Sequence, residues 1–379
     1  MDILFLGGTG RLSKDSAALA AERGMNVTLL TRGSAERSIF FPNGCSSLQG
    51  NIRDTESCRR ILEGRHFDVV VDYLTFNTVQ LDNTLDVISP HCKQYIFVSS
   101  ATAYDVVNER EPISEDRTPV GNRTWKYAWN KYLCEMRLAE RRKNDTVPQY
   151  TIVRPYVTYG NTRVPYPIVP FDSMKEWSFI ERMRQGLPIP TFDEGRTFTT
   201  ITHTQDFAKG MVGLFGNRRA YGEAFHITSD EEVVLADVIR CLESALDLDA
   251  NVIDVSRDAL YKRASEYRQV IEGDKGETRR FDSSKIKTVV PGFSCDISLA
   301  DGITDTVSYL SNTPQLQNID WRWMGQMDRL LLSSAEARDA RASYAFPSNS
   351  DRLKYMNGYH NIIEVTARKI KRAIKRSKS

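Results

Sequence analysis

At 379 residues with 41% hydrophobic content, the chain can fill the core of one large two-lobed domain or of two ordinary ones. No run approaches the ~20 consecutive apolar residues of a membrane span, and MDILFLGG lacks a basic region ahead of its short apolar run, which argues against a signal peptide. The formal charge of +2 gives no global attraction for nucleic acid or membrane, and the cysteines at 45, 58, 92, 134, 241 and 295 show neither CxxC pairing nor metal-like spacing, as expected of free thiols in a reducing cytoplasm.

The chain opens on an apolar run, Ile3 to Leu6, followed by GGTGRLS and then KDSAALAAERG, whose alanines and leucines suit a helix stopped at Gly24. VTLLTR reads as a second buried strand, so the first 32 residues predict a βαβ unit. DTESCRRILEG predicts a helix N-capped by Asp54, FDVVVDYL a strand, QLDNTLDVI a helix and QYIFVSS a strand. Such alternation implies a parallel sheet with helices on both faces. TWKYAWNKYLCEMRLAERRK is a longer amphipathic helix, and YTIVRP an apolar strand stopped by Pro155.

Beyond about residue 160, prolines at 165, 167, 170, 188 and 190 break the chain into short pieces, the pattern of a substrate lobe placed after the sheet. There SFIERMRQG, THTQDFAKGMVGLFG and LADVIRCLESAL read as helices and EAFHIT as a strand. Past about residue 315, NIDWRWMGQMDRLLLSSAEARDARA is helical and a polar turn precedes the basic end. In IIEVTARKIKRAIKRSKS, Ile363, Ile370 and Ile374 recur at spacings of seven and four among basic residues. The tail reads first as a solvated or disordered end of a cytoplasmic protein; weak contact with an anionic membrane surface, which would make the protein peripheral at the inner membrane face, is the alternative. The expected organisation is a dinucleotide-binding domain at 1–160, with segments around 197–230 returning to it, a mainly substrate-binding lobe at 161–312 and a helical extension at 313–379.

Gly7, Gly8 and Gly10 fall at the first strand-to-helix junction, where a dinucleotide site needs backbone N–H groups and a helix end to approach a pyrophosphate with no side chain in the way. Ser13 stands where a third glycine is usual. The second strand ends in Thr31, Arg32 and Gly33, with no acidic residue for a ribose 2′-hydroxyl and an arginine suited to a 2′-phosphate. NADP(H) is therefore favoured, with NAD(H) as the alternative.

QYIFVSS delivers Ser99 and Ser100 to the carboxyl end of its strand, where open parallel sheets bind ligands. Tyr127 and Lys131 lie one turn apart in YAWNK and leave the same helix face. Moving hydride at an alcohol carbon requires a base for the hydroxyl proton. A tyrosine, with an ordinary pKa of about 10, serves near neutrality if a neighbouring cation stabilises its phenolate. Ser100 would hold the substrate oxygen. With few, scattered histidines and no HxxxH spacing, His203 and His226 read as structural, and no metal site is expected.

With these motifs in this order, the chain resembles the extended short-chain dehydrogenase/reductase family, also called the NAD-dependent epimerase/dehydratase family, from residue 1 to roughly 310. GGTGRLS looks like its cofactor turn, GNIRD its adenine-contacting segment, SSATAY its catalytic strand, YAWNK its YxxxK helix and VRPYVTYG the strand and loop that follow. The resemblance implies an α/β Rossmann fold, a doubly wound parallel sheet with a smaller C-terminal substrate lobe and, here, a helical C-terminal extension. It implies catalytic roles for Ser100, Tyr127 and Lys131. It implies cofactor contacts from Gly7, Gly8, Thr9, Gly10, Arg11, Leu12, Arg32, Asn51, Ile52, Tyr73, Leu74, Pro155 and Lys131, which should also hold the nicotinamide ribose. Substrate contacts fall to Ser100, Thr102, Tyr127, Tyr156 and Arg196.

Three departures stand out. Asn51 replaces a usual aspartate, DYLTF at 72–76 replaces smaller residues near the phosphates, and Thr199 stands where many members carry an arginine that grips a diphosphate. The family's 4,6-dehydratases place an Asp-Glu pair after the catalytic Ser or Thr; Ala101 and Thr102 cannot titrate, which disfavours dehydration. The expected activity is epimerisation of a nucleotide sugar or related hydroxyl-bearing substrate through a transient keto intermediate. An NADPH-dependent reductase or dehydrogenase is the first alternative, and a non-catalytic nucleotide- or RNA-binding relative the second, although nucleic acid is not an expected partner. The helices near 79–89 and 125–142 suggest a homodimer by the same resemblance.

Overall fold

Ile3 and Phe5 point to one face of the first strand and Leu4 and Leu6 to the other, and all four are fully buried. A strand read as continuously apolar thus has both faces covered. This arrangement comes from a computed structural model, which describes residues 1–33, 39–106, 111–116, 118, 120–144, 147–331 and 344–360. Strands β1 (Asp2–Leu6), β2 (Asn26–Thr31), β3 (Ser46–Gln49), β4 (Phe67–Asp72), β5 (Cys92–Val98) and β6 (Gln149–Val153) join the short strand Ala224–Phe225 in a seven-stranded sheet. Its order is Ala224–Phe225, β6, β5, β4, β1, β2, β3, parallel throughout. The order reverses between β1 and β4, so the connections from these strands diverge and leave a crevice at the carboxyl edge.

Helix α1 (Lys14–Glu22) and the helix Thr204–Gly213 cover the Ile3 and Phe5 face through Ala17, Ala20, Phe207 and Met211. Helices α2 (Thr55–Leu62), α3 (Thr78–Ile88) and α4 (Lys126–Lys143) cover the other through Cys58, Leu62, Leu81, Leu85, Cys134 and Leu138. The fold is the doubly wound Rossmann α/β fold expected. Asp54 caps α2 as read, its carboxylate accepting from Ser57 N at 3.1 Å.

Three of the departures from the sequence reading have a clear physical reason. Strand β3 has too few apolar residues to signal itself; it is an edge strand in which Ser46 and Thr28 hydroxyls meet at 3.0 Å. The expected strand EAFHIT is ladder only at Ala224–Phe225, because His226 N turns to Glu115 Oε1 at 3.0 Å instead. The polar stretch before the basic end is the helix Asn349–His360, not a turn.

The chain folds as two compact units, the first comprising Met1–Gly160, Phe198–Val233 and Ile271–Gly302, the second Asn161–Thr197, Val234–Val270 and Ile303–Ser379. The second pairs the strands Ile189–Thr191 and Val252–Asp254 in parallel. It buries Arg182, on the helix Trp177–Arg184, against Asp328 of the helix Trp321–Leu330 at 2.7 Å. Tyr355 donates to the same carboxylate at 2.8 Å, and Asn349–His360 crosses Trp321–Leu330 so closely that a Cβ on Gly358 would lie 1.9 Å from Arg322 O. Among the described residues no helix is long and apolar enough to cross a membrane. The expected amphipathic tail at 361–379 lies outside the described residues.

Candidate active site

The first βα turn needs conformations that only glycine adopts easily. Gly7 and Gly8 have φ of +108° and +95°, and a Cβ on Gly8 would sit 2.6 Å from Leu29 Cδ2. Gly7 N donates to Leu30 O at 3.1 Å, and Gly10 N to Ser13 Oγ at 3.0 Å, so the serine in the third glycine's place closes the turn with its own side chain. Thr9, Arg11 and Leu12 complete the turn, Leu12 packing on the core beneath, and α1 begins at Lys14. A cradle bare of side chains ahead of a helix end fits a dinucleotide pyrophosphate.

At the end of β2, Thr31 Oγ1 accepts from Gly33 N at 3.3 Å and Arg32 is exposed. Gly50 N pairs with Thr31 O at 2.8 Å, which brings the following Asn51 and Ile52 to the same edge, Asn51 exposed and Ile52 buried. Arg32 and Asn51 thereby both lie exposed beyond the end of β2.

The departure DYLTF has a physical role. Asp72, at the end of β4, is fully buried, and its carboxylate accepts from Leu74 N at 2.7 Å, Thr75 N at 3.1 Å, Thr75 Oγ1 at 2.6 Å and Tyr95 OH at 2.7 Å. An acid that caps its own turn and satisfies a buried phenol needs no small residues around it. Tyr73 stacks on Phe5 with ring centroids 6.1 Å apart, and a Cβ on Gly7 would lie 3.6 Å from Tyr73 Cβ and from Leu74 Cδ2. Both residues therefore flank the glycine turn.

Ser100 follows β5 and caps a short 3₁₀ turn, Ala101–Ala103; its Oγ lies 2.9 Å from Thr102 Oγ1 and accepts from Thr102 N at 3.3 Å. Ala101 N is held by Pro155 O at 2.9 Å. Lys131 leaves α4 into the interior, 2% exposed, where its Nζ donates to Thr75 O at 2.6 Å and Val98 O at 2.7 Å, at the ends of β4 and β5. That ammonium lies 4.7 Å from the Phe76 ring centroid, 4.9 Å from Phe97 and 6.0 Å from Tyr127. Burial pulls its pKa down to about 8, partly opposed by the Asp72 charge. Tyr127, half-buried one turn earlier, packs 5.0 Å from the Trp125 ring.

The structure thus gathers Ser100, Thr102, Lys131 and Pro155 around the ends of β5 and β6. Tyr156 lies beyond, its ring 3.7 Å from Lys275 Nζ. Arg196 belongs to the second unit, exposed and paired with Glu194 at 3.1 Å. His226 is buried, its Nε2 2.5 Å from Asp282 O and its Nδ1 3.4 Å from Tyr104 OH. Among the described residues no His, Cys, Asp and Glu cluster could hold a metal, and the six cysteines are free.

Sequence reading placed Ser99 at the strand end but missed the polar partners packed behind it. Ser99 hydroxyl donates to Glu135, and Arg154 grips the same carboxylate at 2.7 and 3.1 Å while donating to Tyr104 OH at 2.9 Å. Asn122 donates to Thr102 O at 3.0 Å and Gly273 O at 2.6 Å. One signal was available: Glu135 continues the four-residue spacing of Tyr127 and Lys131, on a face that must be buried.

The sequence profile of the NAD dependent epimerase/dehydratase family matches residues 3–227, and the chain belongs to that family, whose NAD-dependent enzymes are of the extended short-chain dehydrogenase/reductase type. Among characterised proteins it is similar to the chloroplast stem-loop binding protein of 41 kDa b of Arabidopsis thaliana, 25% identical over 254 residues, or 64% of this chain and 62% of that one. The chain thus spans less than two thirds of that relative's length. Among solved structures it is similar to an epimerase from Methanothermobacter thermautotrophicus, with a TM-score of 0.68, 16% identity and coverage of 82% and 92% of the two chains. A UDP-glucose 4-epimerase from Bifidobacterium longum in complex with NAD+ and UDP gives a TM-score of 0.67 at 18% identity, covering 83% and 99%. At these identities the structural likeness is one of fold.

Proposed function

We propose that the chain is a nicotinamide-dependent epimerase of a nucleotide sugar or a related hydroxyl-bearing substrate. One observation carries the reading: Lys131 is buried between the ends of β4 and β5, one turn from Tyr127 and beside the strand end that presents Ser100. Tyr127 takes the substrate's hydroxyl proton at its phenolic oxygen and later returns it. Lys131 supplies the positive charge that favours the phenolate and holds the nicotinamide ribose. Ser100, steadied by Thr102, donates to the substrate oxygen as it becomes a carbonyl. A bound nicotinamide supplies the hydride acceptor and donor. Gly7, Gly8 and Gly10 would hold its pyrophosphate, Arg32 and Asn51 the adenosine side, and Tyr73, Leu74 and Pro155 the flanks. Thr102 and Tyr156 are the substrate contacts we infer beyond the catalytic set.

Arg32 and the absent acidic residue support NADP over NAD. A charge-assisted contact to the 2′-phosphate is worth roughly 1.5–3 kcal/mol, or about one to two decades in affinity. Titration of both dinucleotides into the nucleotide-free protein tests it; equal affinities, or tighter NAD, would sink the preference. Ala101 and Thr102 disfavour dehydration. Net reduction of a carbonyl is the neighbouring alternative, and a homodimer through α3 and α4 is the assembly we infer. A second reading is favoured by the similarity to a stem-loop binding protein: binding of a structured RNA without turnover. Retention of both Tyr127 and Lys131 supports the catalytic reading, and RNA binding with no change in any sugar would reverse that order.

A further inference from the structure

Helix α4 carries three polar residues on one stripe at four-residue spacing, Tyr127, Lys131 and Glu135. The last two grip the end of β5 side by side. Lys131 Nζ donates to Val98 O at 2.7 Å, and Glu135 accepts from the hydroxyl of Ser99, the next residue along. Glu135 is in turn held by Arg154, at the end of β6, through contacts of 2.7 and 3.1 Å. The remaining arginine donor reaches Tyr104 OH at 2.9 Å, and Tyr104 closes the 3₁₀ turn that begins at Ser100. Ser99, Tyr104, Glu135 and Arg154 are 2%, 0%, 4% and 6% exposed. Ser100 is therefore bracketed, Ser99 tied to the carboxylate before it and Tyr104 to the guanidinium after it.

A buried ion pair is weak support for stability, because apolar residues of equal volume often serve as well; its best-attested use is to fix register. Helix α4 packs on the sheet chiefly through apolar side chains, whose contacts are non-directional and tolerate sliding. We propose that Ser99, Glu135 and Arg154 are positioning residues that hold the helix carrying Tyr127 and Lys131 in register with the strand end carrying Ser100. The proposal rests on reading Tyr127 and Lys131 as the proton-handling pair.

The test needs no substrate. The ionisation of Tyr127 in the full chain is isolated as the ultraviolet difference between each protein and the same protein carrying Tyr127→Phe, followed against pH. Wild type should titrate below the ordinary tyrosine value of about 10. Ser99→Ala, which removes the tie and keeps the Glu135–Arg154 pair, should move that titration upward by about one unit, with the melting temperature little changed. Ser99→Thr, which restores a hydroxyl, should return it to the wild-type position. Coincident curves for wild type and Ser99→Ala, or a threonine variant displaced as far as the alanine one, overturn the positioning role and leave the catalytic reading intact. A wild-type Tyr127 that titrates like a free tyrosine overturns both. Should Ser99→Ala fail to fold, Tyr104→Phe releases the other side of the bracket and is judged by the same shift.

Discussion

Glu115 and His226 show how strongly a few buried groups are perturbed behind the site. His226 N donates to Glu115 Oε1 at 3.0 Å, and the His226 Nε2 and Glu115 Oε2 atoms are 3.6 Å apart. Burial pushes the carboxyl from 4.5 up to about 7 and the imidazole from 6.5 down to about 4. Because Asp282 O is an acceptor, Nε2 carries the imidazole proton, and Nδ1 is left to accept from Tyr104. For an acid whose folded pKa is raised, the favoured state is the neutral one. Its contribution to stability is complete below pH 4.5 and is lost as pH rises through about 7. His226 runs the other way, its contribution complete above pH 6.5 and lost as pH falls through about 4. Glu115→Gln keeps an oxygen for His226 N and removes only the acid's titration. Its melting temperature relative to wild type should therefore rise between pH 4.5 and 7.5, and differential scanning calorimetry at both pH values checks this. A gap that stays constant, or moves in favour of wild type, contradicts the assignment.

At the scale of elements, most of the first unit was legible in the sequence because its signals are local. Apolar runs bounded by Gly24 and Pro155, the Asp54 cap and the glycine turn each report on a few neighbouring residues, and together they gave the strands and helices that build the carboxyl edge of the sheet. What escaped depends on partners distant in sequence. Strand β3 is polar and owes its place to β2; Ser99, Glu135 and Arg154 acquire meaning only when β5, α4 and β6 lie together. The helix Asn349–His360 has no clear apolar stripe, and its contact is a backbone crossing at Gly325 and Gly358. A methyl on Gly358 would meet Arg322 O at 1.9 Å, so Gly358→Ala must part the two helices and disturb Tyr355 on Asp328. A loss of about 1–3 kcal/mol is expected in chemical denaturation, the usual cost of overpacking. An unchanged midpoint would mean that the two backbones can separate freely, against so close a crossing.

At the scale of the whole molecule, the chain returns twice to its first unit, at Phe198–Val233 and Ile271–Gly302, after leaving it at Gly160. The two returns bring His226, Asp282 and Gly273 against residues that follow β5, through Tyr104 to His226 and Asn122 to Gly273. The turn that follows β5 is therefore supported by chain more than a hundred residues away, which no local pattern encodes. One chemistry is expected of this assembly: reversible oxidation of a hydroxyl-bearing carbon, with Tyr127 moving the proton. The most direct measurement is turnover of a panel of nucleotide sugars by the full chain and its Tyr127→Phe variant, each loaded with NAD or with NADP, with the sugars identified by NMR and the nicotinamide followed by absorbance. The wild type should interconvert one sugar with its epimer without net consumption of the nicotinamide. The phenylalanine variant should bind the cofactor as before and lose turnover by roughly a thousandfold, or ~4 kcal/mol of barrier. A phenylalanine variant that turns over within about tenfold of wild type, a difference of only ~1.4 kcal/mol, would contradict it.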